Sequence, residues 1–349
     1  MVDTNTLDKQ LHAQKLIYTN TEANGYSRKK QGDQWVYFNT HNEKIKDPRT
    51  IKRIESLTIP PAWKKVWISP DDRGHIQSTG VDEKARKQYI YHEKWNIIRQ
   101  QTKFSKMLFF GDVLPTIREQ ITAHLKEKGL TENKVLATVV FLLGTTYIRI
   151  GNKEYATENQ SYGLTTLRSK HTEVIGNTVR FEFRGKSGIE HEVDITHPQI
   201  ARIIRQLENL PGYELFKYRE DGKKHIVTSD DVNAYLQSIT GDEITAKDFR
   251  TWGGTVLAAT TLNNLGEYLH TRDAKKNITT AVKEVSKHLR NTPTVCRSYY
   301  IHPYIPDSYQ GKELVPHFTE VLKRRDINTK FFDHEEHAVH LLLKKSSKK

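Results

Sequence analysis

Cysteine is nearly missing. Cys296 stands alone in 349 residues, which excludes an internal disulfide framework and a cysteine-built zinc cage. A reducing cytoplasm suits such a chain. Long apolar runs are missing too: the longest stretch of that kind, Val135–Leu143, falls far short of the ~20 residues that cross a bilayer and is read as a buried helix. The opening MVDTNTLDKQ carries no basic-then-apolar leader, so export is not expected. Negative charge is in deficit. Against 42 Asp+Glu stand 55 Lys+Arg, a net charge of +13, which favours a polyanionic partner and nucleic acid before others.

Several familiar reaction motifs are absent as well. Gly185-Lys186-Ser187 ends like a phosphate-binding loop, but position 180, where its first glycine belongs, is Arg180. The stretch also lies between predicted strands, whereas that loop opens a helix, so no ATP site is expected. His334-Glu335-Glu336-His337 misses the HExxH zinc spacing by one residue, because position 338 is Ala338. His334, His337 and His340 share one helical face, yet a solvated charged helix is the plainer reading and no metal is expected. No GxSxG elbow and no paired carboxylates point to a hydrolase.

What is present divides at about residue 95. Before it, Trp35–Phe38, Val66–Ser69, His75–Ser78 and Gln88–Tyr91 read as strands, separated by turns at Asp47-Pro48, Pro60-Pro61 and Asp71–Gly74, with one short helix at Pro48–Leu57. After it, helical periodicity predicts Asp112–Lys128, Glu132–Thr146, His197–Asn209, Ser229–Ile239, Thr245–Leu262, Lys275–Leu289 and Val315–Arg324. A β insert at about 162–195 interrupts them, with strands expected at Tyr162–Leu167, His171–Ile175, Thr178–Arg184 and His191–Ile195. The expected class is α+β: a β-rich domain over 1–95 and a mostly helical domain over 96–349, joined by a linker near Trp95–Phe104.

Two regions carry surfaces suited to DNA. Lys84–Lys106 holds seven Lys/Arg and, between them, Tyr89, Tyr91, Trp95 and Phe104. Cations such as Arg86 and Lys87 neutralise phosphates while planar groups contact sugars or base edges. In a strand, Gln88 faces away from Tyr89 and Tyr91 and is chemically able to read adenine. Near the C-terminus, Lys247 and Arg250 share a face close to a helix start capped by Thr245, the place for a phosphate clamp. Tyr300 stands in LRNTPTVCRSYYIHP, just before Ile-His-Pro. A phenol is a weak nucleophile unless cations surround it and a phosphorus is held in line.

Together these segments resemble type IB DNA topoisomerases of the compact kind found in bacteria and poxviruses. Ile59–Trp95 resembles the N-terminal β domain of the bacterial members. YIRIGNKEYATENQSYGLTTLRSKH (Tyr147–His171), FRGKSGIEHEV (Phe183–Val193), AKDFRTWGGT (Ala246–Thr255) and NTPTVCRSYYIHP (Asn291–Pro303) resemble the family's catalytic segments in order. The resemblance implies that Arg149 and Arg250 are the two catalytic arginines, Lys186 the hairpin lysine with Lys247 auxiliary, and Asn291 the residue where poxvirus enzymes have histidine. Tyr300 is then the nucleophile, with its neighbour Tyr299 the rival in register. Arg86, Lys87, Gln88, Tyr89, Tyr91 and Tyr155 are expected to contact DNA.

The implied reaction is reversible phosphoryl transfer without hydrolysis. Tyr300 attacks a backbone phosphate to give a 3′-phosphotyrosine and a free 5′-hydroxyl, and the nicked strand rotates before religation. Arginine forks stabilise the phosphorane oxygens, a lysine protonates the departing oxygen, and neither ATP nor a metal is called for. The expected partner is double-stranded DNA held by a monomer in a C-shaped clamp, at a bacterial nucleoid in the cytoplasm. Tyrosine recombinases share the catalytic set, but they have a helical N-terminal domain and histidine in place of Lys247. A non-catalytic DNA-binding protein, the other alternative, requires a broken site.

Overall fold

The computed structural model describes Leu11, residues 13–324 and residues 330–347. The chain is α+β and separates into two compact units, one ending at Lys103 and one beginning at Phe104. Among the described residues, no helix is long and apolar enough to cross a membrane.

The first unit is built on hairpins. β1 (Ser27–Gln31) and β2 (Gln34–Phe38) pair antiparallel around Gly32, whose φ of 59° suits the tight turn. α1 (Pro48–Ser56) starts at Asp47, whose carboxylate accepts the Thr50 N–H at 2.8 Å, with proline at the first helical position. β3 (Lys64–Ile68), β4 (Ile76–Val81) and β5 (Lys87–Tyr91) form an antiparallel sheet in the order β3-β4-β5, so β5 is an edge strand. Tyr37, Ile54, Ile59 and Ile68 make the core. The predicted strands and the short helix of this region are present, to within a few residues. β1 escaped prediction because SRKKQ has no apolar alternation: Arg28 lies over the Trp35 ring at 4.0 Å and donates to the Ile59 carbonyl, so its burial comes through a cation.

The expected linker near Trp95–Phe104 is instead helix. α2 runs unbroken from Glu93 to His124 and carries the boundary between the units within it. Trp95 and Ile98 are buried with Leu11 and Leu16, while Phe104 and Met107 enter the core of the second unit. The helix passes through Gly111 because a side chain there is excluded: a Cβ would lie 2.9 Å from the Trp252 ring.

The second unit packs around α3 (Glu132–Thr146), in which Val135–Val140, Leu142 and Leu143 are buried. α4 (Lys153–Asn159) follows. Tyr162–Leu167, expected as a strand, forms a 3-10 turn at Leu164–Thr166. The Leu164 and Thr165 N–H groups bond to the Arg149 and Ile150 carbonyls, so the segment pairs with the chain leaving α3 and touches the sheet only at its start, where the Tyr162 N–H donates to the Arg184 carbonyl at 2.8 Å. β6 (Thr172–Ile175), β7 (Thr178–Arg184) and β8 (Glu190–Thr196) make that sheet, with Val179, Phe181 and Phe183 turned inward. Then come α5 (Pro198–Glu208), a hairpin of β9 (Lys217–Glu220) and β10 (Lys223–Ile226), α6 (Ser229–Thr240), α7 (Ala246–Leu265) and α8 (Thr271–Leu289). The chain continues through α9 (Pro293–Tyr299), α10 (Tyr304–Gln310), α11 (Leu314–Leu322) and α12 (His334–Ser346).

α12 is fastened beneath α7 by a buried carboxylate. Arg118 grips Glu336 with both guanidinium nitrogens, the second at 2.8 Å, and the Trp252 indole N–H donates to the same carboxylate at 3.0 Å. Glu336→Ala strands a largely buried cation and an indole N–H. It should lower unfolding stability by about 2–4 kcal/mol, measured by denaturant titration, with Glu336→Gln less affected because the amide oxygen still accepts from Trp252.

Candidate active site

Each side chain of the expected catalytic group is placed by its own local device. Tyr147 ends α3 in the left-handed region (φ 52°), and the chain leaves in the direction that presents Arg149. Leu164 N–H to the Arg149 carbonyl (2.9 Å) and Thr165 N–H to the Ile150 carbonyl (2.7 Å) fix that segment. Gly163 makes the approach possible, since a Cβ there would lie 2.5 Å from the Arg149 carbonyl oxygen.

Arg250 lies in the second turn of α7. That helix begins with Thr245, whose N–H and hydroxyl both bond to the Asp248 carboxylate at 2.8 Å. Arg250 is 4% exposed; it donates to the Tyr147 carbonyl through one terminal nitrogen and to the Leu289 carbonyl at 2.9 Å through the other. One guanidinium thereby joins the ends of α3 and α8 to α7.

The next turn explains the double glycine of DFRTWGG. A Cβ on Gly253 would fall 2.2 Å from the Tyr147 ring, and a Cβ on Gly254 would fall 2.6 Å from the Tyr300 carbonyl oxygen. Thr255 then holds the chain around Tyr300 from both sides: its hydroxyl donates to the Tyr300 carbonyl at 3.3 Å and accepts the His302 N–H at 3.0 Å. Tyr300 itself caps α9, its N–H bonded to the Cys296 carbonyl at 2.9 Å. Cys296 is fully buried and burial pushes its thiol up to about 11, so the one cysteine is a packing residue here.

These devices bring Arg149, Arg250, Asn291 and Tyr300 together. Arg149 donates to the Asn291 side-chain oxygen at 2.6 Å, and the Arg250 guanidinium carbon lies 5.2 Å from the centroid of the Tyr300 ring. Burial, and then the neighbouring Arg149 charge, lower Arg250 to about 10; burial likewise lowers Arg149. Both remain cations at neutral pH. Three buried donors end without a partner: one terminal nitrogen of Arg149, Nε of Arg250 and Nδ2 of Asn291. Buried donors left open in a cationic pocket suit a multi-oxygen anion such as a phosphate.

The two lysines are placed differently. Lys186 sits on an exposed turn between β7 and β8, and Lys247 is exposed on α7 three residues before Arg250. Neither ammonium has a hydrogen bond or ion pair among the described residues. Tyr155 is exposed on α4. Among the described residues, no group of three His, Cys, Asp or Glu could hold a metal ion.

In the first unit, β5 presents the expected DNA-contacting strand with its cations already engaged. Arg86 pairs with Asp82 at 2.7 Å, and Gln88 donates to the same carboxylate at 2.9 Å. Lys87 lies 3.5 Å from Glu22, while Tyr89 and Tyr91 stack with centroids 5.8 Å apart. Asp82, held down to about 2 chiefly by Arg86, was missed by the sequence reading although it stands four residues ahead of the arginine.

Comparison with known proteins gives the family. The family model for the eukaryotic DNA topoisomerase I catalytic core matches residues 92–313, and that for the bacterial DNA topoisomerase IB N-terminal domain matches residues 34–82. The chain belongs to the type IB DNA topoisomerase family. It is 32% identical over 295 residues to DNA topoisomerase 1B of Acanthamoeba polyphaga mimivirus, covering 82% of this chain and 88% of the relative. It is 23% identical over 269 residues to DNA topoisomerase I of monkeypox virus and to DNA topoisomerase 1B of vaccinia virus (strain Western Reserve), covering 76% of this chain and 82% of each relative. The protein is therefore an isomerase that acts on DNA, and the recombinase alternative is not favoured.

Gly254→Ala tests the positioning of Tyr300 directly. The added methyl group pushes the Tyr300 backbone away from α7, so plasmid relaxation should fall by about tenfold or more, the scale of a misplaced reacting group. Binding of linear duplex, read by gel shift, should stay unchanged.

Proposed function

We propose that the enzyme relaxes positive and negative supercoils by transient cleavage of one DNA strand through a 3′-phosphotyrosine at Tyr300. The observation that carries this reading is the cluster of a buried Arg250, a half-buried Arg149 and Asn291 around Tyr300, with three donors unused. The Tyr300 oxygen attacks the scissile phosphorus as its phenolic proton leaves to solvent. The Tyr300 Oη–P bond forms, the P–O5′ bond breaks, and the departing O5′ takes a proton from Lys186 as general acid. Lys247, three residues before Arg250 on the same helix, is an auxiliary cation for the same step.

The charge that builds on the non-bridging oxygens meets Arg149, Arg250 and the Asn291 amide, which are already in place. Arginine suits the task because its donors form a rigid fork and its charge survives burial. Asn291 contributes a neutral donor whose strength does not change with pH. Fixed cations supply the stabilisation that a metal gives in other phosphoryl-transfer enzymes, and the phosphotyrosine conserves the bond energy needed for religation, so neither a metal nor ATP enters the cycle.

A monomer acting on duplex DNA is sufficient for this chemistry. The basic strand with Arg86, Lys87, Gln88, Tyr89 and Tyr91 supplies backbone and base-edge contacts, and Tyr155 supplies another from the helical unit. The match to a bacterial N-terminal domain supports a place on the bacterial nucleoid, in the cytoplasm.

Relaxation of supercoiled plasmid in EDTA without ATP tests the reading. Wild type and Tyr299→Phe are expected to relax plasmids of either sign, and Tyr300→Phe to leave them supercoiled. A dependence on added Mg²⁺ or ATP, or relaxation by Tyr300→Phe, would overturn it.

A further inference from the structure

The general acid assigned above stands on a turn that does little to hold it. Lys186 is exposed at the tip of the β7–β8 hairpin, followed by Ser187 and Gly188 with φ of 64° and 75°. The fixed point is the residue before it. The Gly185 N–H donates to the Ile189 carbonyl at 2.8 Å, and the Gly185 carbonyl accepts the Ser161 hydroxyl at 2.7 Å.

Gly185 also rests against a ring. A Cβ on Gly185 would lie 2.5 Å from Nε2 and 2.6 Å from Cδ2 of His191, so the imidazole occupies the space that any side chain at 185 would need. His191 is only 6% exposed. Across the hairpin it faces Phe183 in register, and the two rings stack at 4.6 Å with 17° between their planes. Its Nε2 is buried without a hydrogen-bond partner.

The same strand reaches toward the arginine pair. His191 and Glu192 line a cavity of about 500 Å³ together with Arg250 and Arg290. Arg290 donates to the Glu192 carbonyl at 2.7 Å, and the residue after it is Asn291. A short path thus runs from the lysine turn through His191 and Glu192 to the loop that carries Asn291. Burial, followed by the charges of Arg290, Arg149 and Arg250, lowers His191 to about 4, so the ring is neutral at working pH.

We propose that His191 is a positioning residue for the proton donor: its ring is the floor under the Gly185–Lys186 turn and sets where the Lys186 ammonium stands relative to the scissile phosphate. This rests on the assignment of Lys186 as general acid. The inference explains why position 185 is glycine and why a histidine is buried with an unused ring nitrogen beside two arginines. In the reacting complex the hairpin then moves as one piece, with lysine, glycine and histidine keeping their mutual geometry.

Leaving-group chemistry provides the test. A departing 5′-alkoxide needs a proton, whereas a 5′-thiolate leaves without one because thiols ionise far more readily. The substrate is a synthetic duplex bearing a cleavage site mapped with wild-type enzyme, prepared with oxygen or sulfur at the scissile 5′ position. Single-turnover cleavage is compared for wild type, Lys186→Ala, His191→Ala and Gly185→Ala, with duplex affinity measured alongside.

On the oxygen substrate, Lys186→Ala should lose about 100-fold and the other two variants about tenfold, with affinity unchanged. On the sulfur substrate all three should come within about threefold of wild type. His191→Val removes the ring while keeping an apolar side chain against Phe183, and carries the same comparison should the alanine variant not fold. A His191 variant as slow on sulfur as on oxygen, while Lys186→Ala is restored, would overturn the inference and leave the donor assignment standing; so would a His191→Ala variant as fast as wild type on both. Lys186→Ala slow on both substrates would overturn the donor assignment itself and the inference with it.

Discussion

Two neighbouring guanidinium groups, one buried and one half-buried, with no carboxylate paired to either among the described residues, are the constraint on which the proposed active site depends. Like charges taken out of water repel and lose hydration, and each needs compensation from what surrounds it. Here the compensation is incomplete by design of the chain. Arg250 spends its terminal nitrogens on the carbonyls of Tyr147 and Leu289, and Arg149 spends one on Asn291. What remains open is one nitrogen on each arginine and the Asn291 amide. Open donors of this kind suit an anion, and in the proposed reaction that anion is the phosphate in transfer.

The surrounding fold supplies the close approaches this arrangement requires. α3 ends in the left-handed region so that its last carbonyls can receive Arg250. α7 gives up two side chains in succession, at Gly253 and Gly254, so that the Tyr147 ring and the Tyr300 backbone can lie against it. α12 holds α7 from the opposite side through Glu336 and Trp252. Arg250 is thus fixed by the helices around it and Arg149 by its pairing with the Leu164–Thr165 turn and Asn291, while Lys186 waits on an exposed turn. That contrast suits the chemistry: charge stabilisation works best preorganised, whereas a proton donor must reach a leaving group that swings away and returns.

Much of this was legible in the sequence, for reasons that differ from residue to residue. Helical periodicity predicted α7, and Thr245 marked its start; the Asp248 carboxylate that bonds to Thr245 was not part of that reading. Val135–Leu143 is apolar except at Thr138 and read as a buried helix, which α3 is. Arg149, Lys186, Arg250, Asn291 and Tyr300 were assigned by resemblance, since each alone reads as an ordinary surface or core residue. The misses have physical causes. Tyr162–Leu167 is β-like in composition but pairs with the chain at Arg149–Ile150, a long-range contact no local pattern reports. α2 begins nearly twenty residues earlier than its apolar period suggests, because its first turns bury residues into one unit and its later turns into the other. His191, Asp82 and Glu336 were invisible as positioning groups: their partners lie across a hairpin, four residues ahead in a turn, or more than two hundred residues away.

The most direct test of the central claim is a crystal structure of the enzyme with a nicked duplex and vanadate, whose trigonal-bipyramidal geometry mimics the transferring phosphorus. The account predicts vanadium bonded to the Tyr300 oxygen and in line with the 5′-hydroxyl, with Arg149, Arg250 and Asn291 each donating to a non-bridging oxygen through the nitrogens now unpaired. Vanadate bonded to Tyr299, or seated where only one of the two arginines reaches it, would contradict the account.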